Sequence, residues 1–338
     1  MTTLINEEID TLLKDTSRSF FITLQALPSK IRGQIGLLYL LARIADTIAD
    51  TKNGDAVQLI QALNSYNQFV QGKSSDLPNF NPIADIQEHQ GEEKLLRNVK
   101  RVVISLNQFD SKDQERIQQC LDIIVSGQTL DLERFGPAND GGGISHLNNI
   151  DELDDYAYRV AGRVGEFWTK MSLAHIFNAD GKKEEKLFAN GVRFGKALQL
   201  INILRDIPED LRFGRCYIPG HTLAEFGLEP SDLLVTENME KFRPLYDQYL
   251  DLASSHLDAA AEYIEMLPYR QFRLRGACIL PVLIGQRTIS LLRSNNVLDS
   301  ENRVKVLRPE INDLIRKTKR SLIIPGGSKR LLKSNRNH

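Results

Sequence analysis

Apolar residues in this 338-residue chain recur at steps of three and four over windows far longer than a β-strand. Residues 30–51 show the pattern most clearly. Ile35, Leu38, Ala42, Ala45 and Ala49 line one side of a long helix. Similar periods run through about 95–127, 151–178, 183–212, 239–266 and 271–295. Alternating strand-like runs bounded by turn residues are nearly absent. Loops rich in Gly, Asn, Pro and Asp fall at 72–92 and 136–149. Asp151, with Asp154 three residues on, marks a helix start after the second loop. No fixed-period repeat and no shift in composition divides the chain. The expectation is an all-α fold with one large domain over residues 1–315 and a short appendage over 316–338.

Charge separates the appendage from the rest. The chain carries 43 Lys and Arg against 44 Asp and Glu, a formal net charge of −1. Such a balance argues against a general nucleic-acid binder. Residues 316–338 hold eight of the basic residues and no acid, which leaves −9 on residues 1–315. The three cysteines, Cys120, Cys216 and Cys278, are scattered and form no CxxC pair. That pattern fits a reducing compartment and neither a disulfide framework nor a Cys-ligated metal. The N-terminus lacks a signal-peptide pattern, and no 18-residue window is free of charge. A cytoplasmic protein is expected.

Two polar stripes interrupt the apolar pattern. Tyr39, Arg43, Asp46 and Asp50 are spaced 4, 3 and 4, so they share one helix face. A solvated face is one reading. The flanks of this stripe are apolar, however, and like charges at i,i+4 repel unless a cation intervenes. Gln199, Asn202, Asp206 and Asp210 repeat the arrangement at steps of 3, 4 and 4 among Leu198, Leu200, Ile201, Ile203 and Leu204. Burying such groups is costly unless each is bonded or ligated. Pro208 lacks an N–H and would clash with the carbonyl of Leu204, so this helix is expected to kink or end there. Two such helices facing one another would offer hard oxygen ligands suited to Mg²⁺, which usually completes its shell with phosphates and water. Neither stripe carries the His or Cys that zinc favours. Arg43, Arg205, Arg212 and Arg215 suit a diphosphate. Together they point to ionisation of a diphosphate ester, with metal on the leaving group.

Four segments carry a resemblance. TSRSFFITLQALP (16–28), ARIADTIAD (42–50), YAYRVAGRVG (156–165) and LQLINILRDIPED (198–210) resemble, in order and spacing, the squalene/phytoene synthase family. The likeness extends over about residues 10–295. It implies an isoprenoid synthase fold, a helical bundle around a central substrate cavity. It also implies Mg²⁺-dependent head-to-head coupling of two prenyl diphosphates, with a cyclopropylcarbinyl diphosphate as first product. By the same resemblance Asp46 and Asp50, and Asp206 and Asp210 with Asn202, bind Mg²⁺ and diphosphate. Ser17, Arg18 and Ser19 contact diphosphate, with Phe20 beside the prenyl chain. Tyr39, Arg43 and Arg205 add diphosphate contacts, and Gln199 lies on the same wall. Tyr156 takes part in proton removal during ring closure, and Val160, Gly162 and Gly165 belong to a tunnel wall. Taken without the resemblance, Ser17 could cap a helix, Tyr39 and Phe20 could be plain core, and Tyr156 could pack under the 136–149 loop.

Within the family, DTIAD preceded by TSRSF, and RVKVLRPE at 303–310, look like squalene synthases, the latter like the region associated with NADPH use. GRCYIP at 214–219 looks like phytoene and bacterial hopanoid-type enzymes, and Thr288 stands where the dehydrosqualene type carries tyrosine. The reading taken is squalene formation from two farnesyl diphosphates through presqualene diphosphate, with Mg²⁺ and NADPH. Geranylgeranyl diphosphate as substrate, or phytoene, dehydrosqualene or presqualene diphosphate as product, is the alternative. No GxGxxG precedes a strand, so no motif supports nucleotide binding. A head-to-tail elongase or terpene cyclase would carry DDxxD, and Thr47 replaces its second Asp. A non-catalytic relative would have lost Asp residues, and all four are present. The basic end, with its small apolar clusters, is either a solubilising tail or a peripheral contact with anionic lipid.

Overall fold

A computed structural model of the protein describes residues 5–17, 19–52, 54–138 and 143–336, with the backbone alone at Ser19, Phe20 and Ile22. Helices dominate. Among the described residues the one sheet is a parallel pair of two-residue strands, Ser145–His146 with Arg215–Cys216. The chain forms two compact units: residues up to 138 with 170–178, and residues 139–169 with 179–338.

The first unit contains α1 (Glu7–Ser17), α2 (Ser19–Ala26), α3 (Ser29–Ala49), α4 (Ala56–Val70), α5 (Asn81–Ala84), α6 (Gln90–Arg97), α7 (Val99–Ile104) and α8 (Ser111–Phe135). Helix α3 is apolar on most sides, with Ile31, Leu37, Leu40, Leu41, Ile44 and Ile48 fully buried. Each such side chain contributes about 2 kcal/mol of transfer free energy, enough to seat a helix that carries a polar stripe. Helix α8 packs along both α3 and α4. The sequence period suggests one helix over 95–127, but the chain breaks before α8. Asp110 caps that helix by accepting from the backbone N–H of Asp113, 3.0 Å away, and Gly136 ends it in the left-handed region. The Asp113 carboxylate, itself buried, takes hydrogen bonds from Gln34, Arg116 and His175 and so ties α3 and residues 170–178 to α8.

The second unit contains β1 (Ser145–His146), α9 (Ile150–Ala157), α10 (Arg163–His175) up to Thr169, α11 (Gly181–Arg205), α12 (Ile207–Arg212), β2 (Arg215–Cys216) and α13 (Gly220–Glu225). It continues with α14 (Met239–Met266), α15 (Phe272–Ser294), α16 (Arg308–Ile323) and α17 (Gly327–Arg336). The start expected at Asp151 falls two residues earlier. The N-cap of α9 is Asn149, whose side chain accepts from the Glu152 N–H, and Asp151 sits inside the first turn. One π-helical turn, Tyr158–Gly162, joins α9 to α10. Its backbone and that of α10 press directly on α11. A Cβ on Gly165 would lie 1.9 Å from the Gly191 carbonyl oxygen, and one on Gly195 2.0 Å from that of Ala161. Gly162 and Gly165 thus serve close helix packing. Helix α11 lies along α14, where Tyr246 donates to the Leu204 carbonyl at 2.9 Å.

Residue 316 falls inside α16, and the basic segment is folded through Arg336. Gln286 donates to the Leu332 carbonyl, Asn335 to that of Leu283, and Arg336 pairs with Asp258. Leu314, Thr318, Ser321 and Leu332 are buried. Among the described residues no helix is long and apolar enough to cross a membrane.

Candidate active site

The first acidic stripe belongs to the first unit. Tyr39 donates from its hydroxyl to the Thr16 carbonyl at 3.1 Å, which draws α3 against the end of α1. Beside it, Ser17 closes α1 and its hydroxyl donates back to the Leu13 carbonyl within its own helix. Arg18 lies outside the described residues, as do the side chains of Ser19 and Phe20. Arg43 is held by the Glu92 carboxylate of α6 and lies 4.0 Å from Asp46. Burial works against the guanidinium charge, but Asp46 and Glu92 hold its pKa above the usual arginine value.

Asp46 accepts from the Gln128 amide of α8. Its side chain keeps 34% of its surface yet sits among crowded protein atoms. That burial pushes the carboxyl up to about 7, against the lowering effects of Arg43 and Gln128 and with the help of Asp50 and Glu92. Asp50 is not a continuation of the helix. It is the C-cap of α3, exposed, with its N–H on the Asp46 carbonyl at 2.8 Å.

The second stripe belongs to the second unit, and Pro208 acts there as its chemistry requires. Helix α11 ends at Arg205, Asp206 forms the joint, and α12 starts with Pro208 in its first turn. Arg205 donates to both oxygens of its neighbour Asp206, at 2.9 and 2.6 Å. Arg303 adds a third bond at 2.7 Å and pairs with Glu209 at 3.1 Å. Only 19% of the Asp206 side chain is exposed. Burial alone would raise its pKa, but the two arginines outweigh that and hold it below the ordinary aspartate value. Asp210 follows one turn along α12, half-buried, while Gln199 and Asn202 stand on the preceding turns of α11, half-buried and exposed respectively.

Tyr156 is buried near the end of α9 and stacks on Tyr217, with ring centroids 4.8 Å apart and planes 22° from parallel. Its hydroxyl donates to that of Tyr217 at 3.3 Å. Val160 is half-buried one turn on, within the π turn. The donors on both stripes are carboxylate and amide oxygens, which suit a hard cation such as Mg²⁺. Among the described residues no group of three or more His, Cys, Asp or Glu side chains is placed to hold a metal ion.

These motifs lie inside one long match: residues 13–310 fit the profile of Squalene/phytoene synthase. The chain belongs to the squalene/phytoene synthase family. The bifunctional lycopene cyclase/phytoene synthase of Pyrenophora tritici-repentis (strain Pt-1C-BFP) is 28% identical over 263 residues, 76% of this chain and 41% of that protein. The squalene synthase of Cyberlindnera jadinii is 24% identical over 286 residues, 84% of this chain and 61% of that protein. The chain therefore spans about two fifths to three fifths of the length of these relatives. A solved structure of TcSQS with the ligand E5700 superposes with a TM-score of 0.78 at 18% identity, covering 97% of this chain and 89% of the other. The squalene/phytoene synthase fold is thus that of an all-α isoprenoid synthase.

Within this family member, four contacts of the stripes escape a reading of the sequence. Glu92, Gln128, Arg303 and Tyr217 touch Arg43, Asp46, Asp206 and Tyr156 from distances of 49, 82, 97 and 61 residues along the chain. Tyr217 and Arg303 stand in GRCYIP and RVKVLRPE, segments already conspicuous for other reasons.

Proposed function

We propose that the protein joins two farnesyl diphosphates head to head, through presqualene diphosphate, to give squalene, with Mg²⁺ and with NADPH as hydride donor. The observation that carries the reading is the pairing of an aspartate with arginine in each acidic stripe, within a chain of this family. Asp46 and Asp50, and Asn202, Asp206 and Asp210, are the residues to hold Mg²⁺. Bound there, the ion neutralises charge on the departing diphosphate. Arg43 and Arg205 each lie beside an aspartate and offer several N–H donors to phosphate oxygens. Substrate binding must loosen part of the contacts these arginines now make with Glu92 and Asp206.

Closing the cyclopropane ring expels a proton from carbon. Tyr156 is suited to take part because its hydroxyl sits in a buried hydroxyl pair. As Tyr156 accepts a proton it can pass its own to Tyr217, and Tyr217 must then give up its hydroxyl proton towards the departing diphosphate, so that neither ring keeps a charge. Released diphosphate is the final acceptor. The squalene assignment draws on DTIAD and on RVKVLRPE, whose first residue, Arg303, contacts Asp206.

The fungal lycopene cyclase/phytoene synthase relative supports a second reading, in which geranylgeranyl diphosphate gives phytoene without reduction. Incubation with farnesyl diphosphate, Mg²⁺ and NADPH, followed by mass spectrometry of the hydrocarbon, separates the two. Squalene is expected. Phytoene from geranylgeranyl diphosphate, with no product from farnesyl diphosphate, would replace the first reading by the second.

A further inference from the structure

Two turns far apart in sequence meet at one end of the second unit. One joins α14 to α15, the other α16 to α17. Leu322, in the last turn of α16, lies over Gly276 of α15, where a Cβ would stand 3.1 Å from its Cδ1. At this end Ile323 is 75% exposed, more than any other large apolar residue among those described, and Ile324 is 46% exposed. Tyr269 and Phe272 on the other turn are 47% and 40% exposed and touch edge to face. Isolated surface hydrophobes are ordinary, but four on adjacent turns form a patch.

The charge around the patch is predominantly positive, since Glu262 and Glu265 at the end of α14 are paired with Lys186 and Arg275. Arg270, Arg273, Lys319, Arg320, Lys329 and Arg330 are all exposed, and neither 266–276 nor 314–338 contains an acid. The nearby first turns of α11 carry Glu184 and Glu185, matched by Lys182, Lys183 and Lys186, so the excess comes from the two turns themselves. Both turns are also firmly built. Buried Arg275 donates to the carbonyls of Ile264 and Leu267 at 2.6 and 2.9 Å and pairs with Glu265. Gly326 takes a left-handed φ of 67°, and Arg330 donates to the Pro325 carbonyl at 3.1 Å.

We propose that this end of the protein docks on an anionic lipid bilayer, with Ile323, Ile324, Tyr269 and Phe272 entering the interface and the six cations facing headgroups. Apolar tips ringed by Lys and Arg match that surface in both polarity and charge. A second copy of the chain is a poor occupant, because it would set six cations against six. Helix α17 and nearly all of α16 lie beyond the residues matched to the family profile, and the inference is independent of the substrate assigned above.

Co-sedimentation of the full chain with phosphatidylcholine vesicles, with and without phosphatidylglycerol, tests it. Binding is expected only where phosphatidylglycerol is present, and it should weaken with added salt. Replacing Lys319, Arg320, Lys329 and Arg330 together by Gln should lower partitioning by about a hundredfold or more, from about fivefold per cation. Ile323→Ser with Ile324→Ser should lower it by about tenfold at unchanged charge and melting temperature. Lys100→Gln with Lys112→Gln, exposed cations of the first unit, should bind as the parent does. Equal binding to both vesicle types, or undiminished binding by the quadruple or the serine variant, overturns the proposal. So does a concentration-dependent dimer that the serine variant abolishes, since a second copy would then cover the patch.

Discussion

Asp46 and Asp206 open the same DxxxD spacing, yet their surroundings drive them in opposite directions. Asp46 has one arginine at 4.0 Å, a neutral amide on one oxygen, and Asp50 and Glu92 nearby, and burial carries its carboxyl to about 7. Asp206 has two arginines directly on its oxygens and stays below the ordinary aspartate value. An identical motif thus yields one carboxylate that waits for a cation and one already neutralised by the protein's own cations. Burial is the largest single influence on both, so the number and closeness of arginines decides the outcome.

Removing each charge in turn should separate the two carboxylates most strongly. Under the proposed function, Asp46→Asn and Asp206→Asn should each lower turnover of prenyl diphosphate by at least about a hundredfold, because each deletes a metal ligand at nearly constant volume. Near-normal turnover in either would end the assignment of that stripe. Stability should then separate the two variants. Asp206→Asn leaves Arg205 and Arg303 without their carboxylate and should cost about 2 kcal/mol in denaturant unfolding at pH 7. Asp46→Asn replaces a carboxyl that resists ionising and should leave the metal-free protein equal or more stable at pH 8. A loss there as large as that of Asp206→Asn would show that both carboxylates are equally well paired.

The pH dependence of the metal-free protein sharpens the point. A carboxyl raised in the fold binds its proton more tightly folded than unfolded, so stability declines as pH rises from about 4 to about 7. Asp206, lowered in the fold, contributes stability above the unfolded aspartate value and loses it as pH falls through its own folded value. Melting curves of parent and Asp46→Asn should therefore diverge between about pH 5 and 8 and converge near pH 4. The smallest effect is expected from Tyr217→Phe. Loss of one hydroxyl contact should slow formation of presqualene diphosphate by about tenfold, with diphosphate affinity retained, on the scale of one hydrogen bond. An unchanged rate would leave Tyr217 only a packing role.

How legible this molecule was depends on the range of the interaction involved. Helix α14 runs over the residues its period indicates, Met239–Met266, and α15 over Phe272–Ser294, because amphipathic spacing is local. Pro208 announced the end of α11 by its missing N–H. The break before α8 was hidden by apolar residues that keep a helical period through 102–109, although Asp110 with Asp113 is a helix-start signal. Asp50, the fourth member of the first stripe, closes α3 as its C-cap and still bonds through its N–H to the Asp46 carbonyl, one turn back. The near partners Arg43 and Arg205 were visible in the spacing, but the distant ones, Gln128 and Arg303, were not, since periodicity places a residue on a face and does not say what meets that face. The C-terminal segment looked like an appendage for a related reason. Its inward stripe of Leu314, Thr318 and Ser321 is only weakly apolar, and its charges dominate the composition.

The glycine contact between α11 and the Ala161–Gly165 segment sets a register. Gly191, Gly195, Gln199, Asn202 and Asp206 follow one another at steps of 4, 4, 3 and 4, so they run down a single face. Backbone touching backbone at 191 and 195 leaves that end no freedom to turn. From Gly195 to Asp206 the helix makes about three turns. Helix α11 therefore works as a ruler, clamped at its glycine end and read at its acidic end. One residue inserted between the two marks would swing the Asp206 end by about 100° without disturbing a single contact at the clamp.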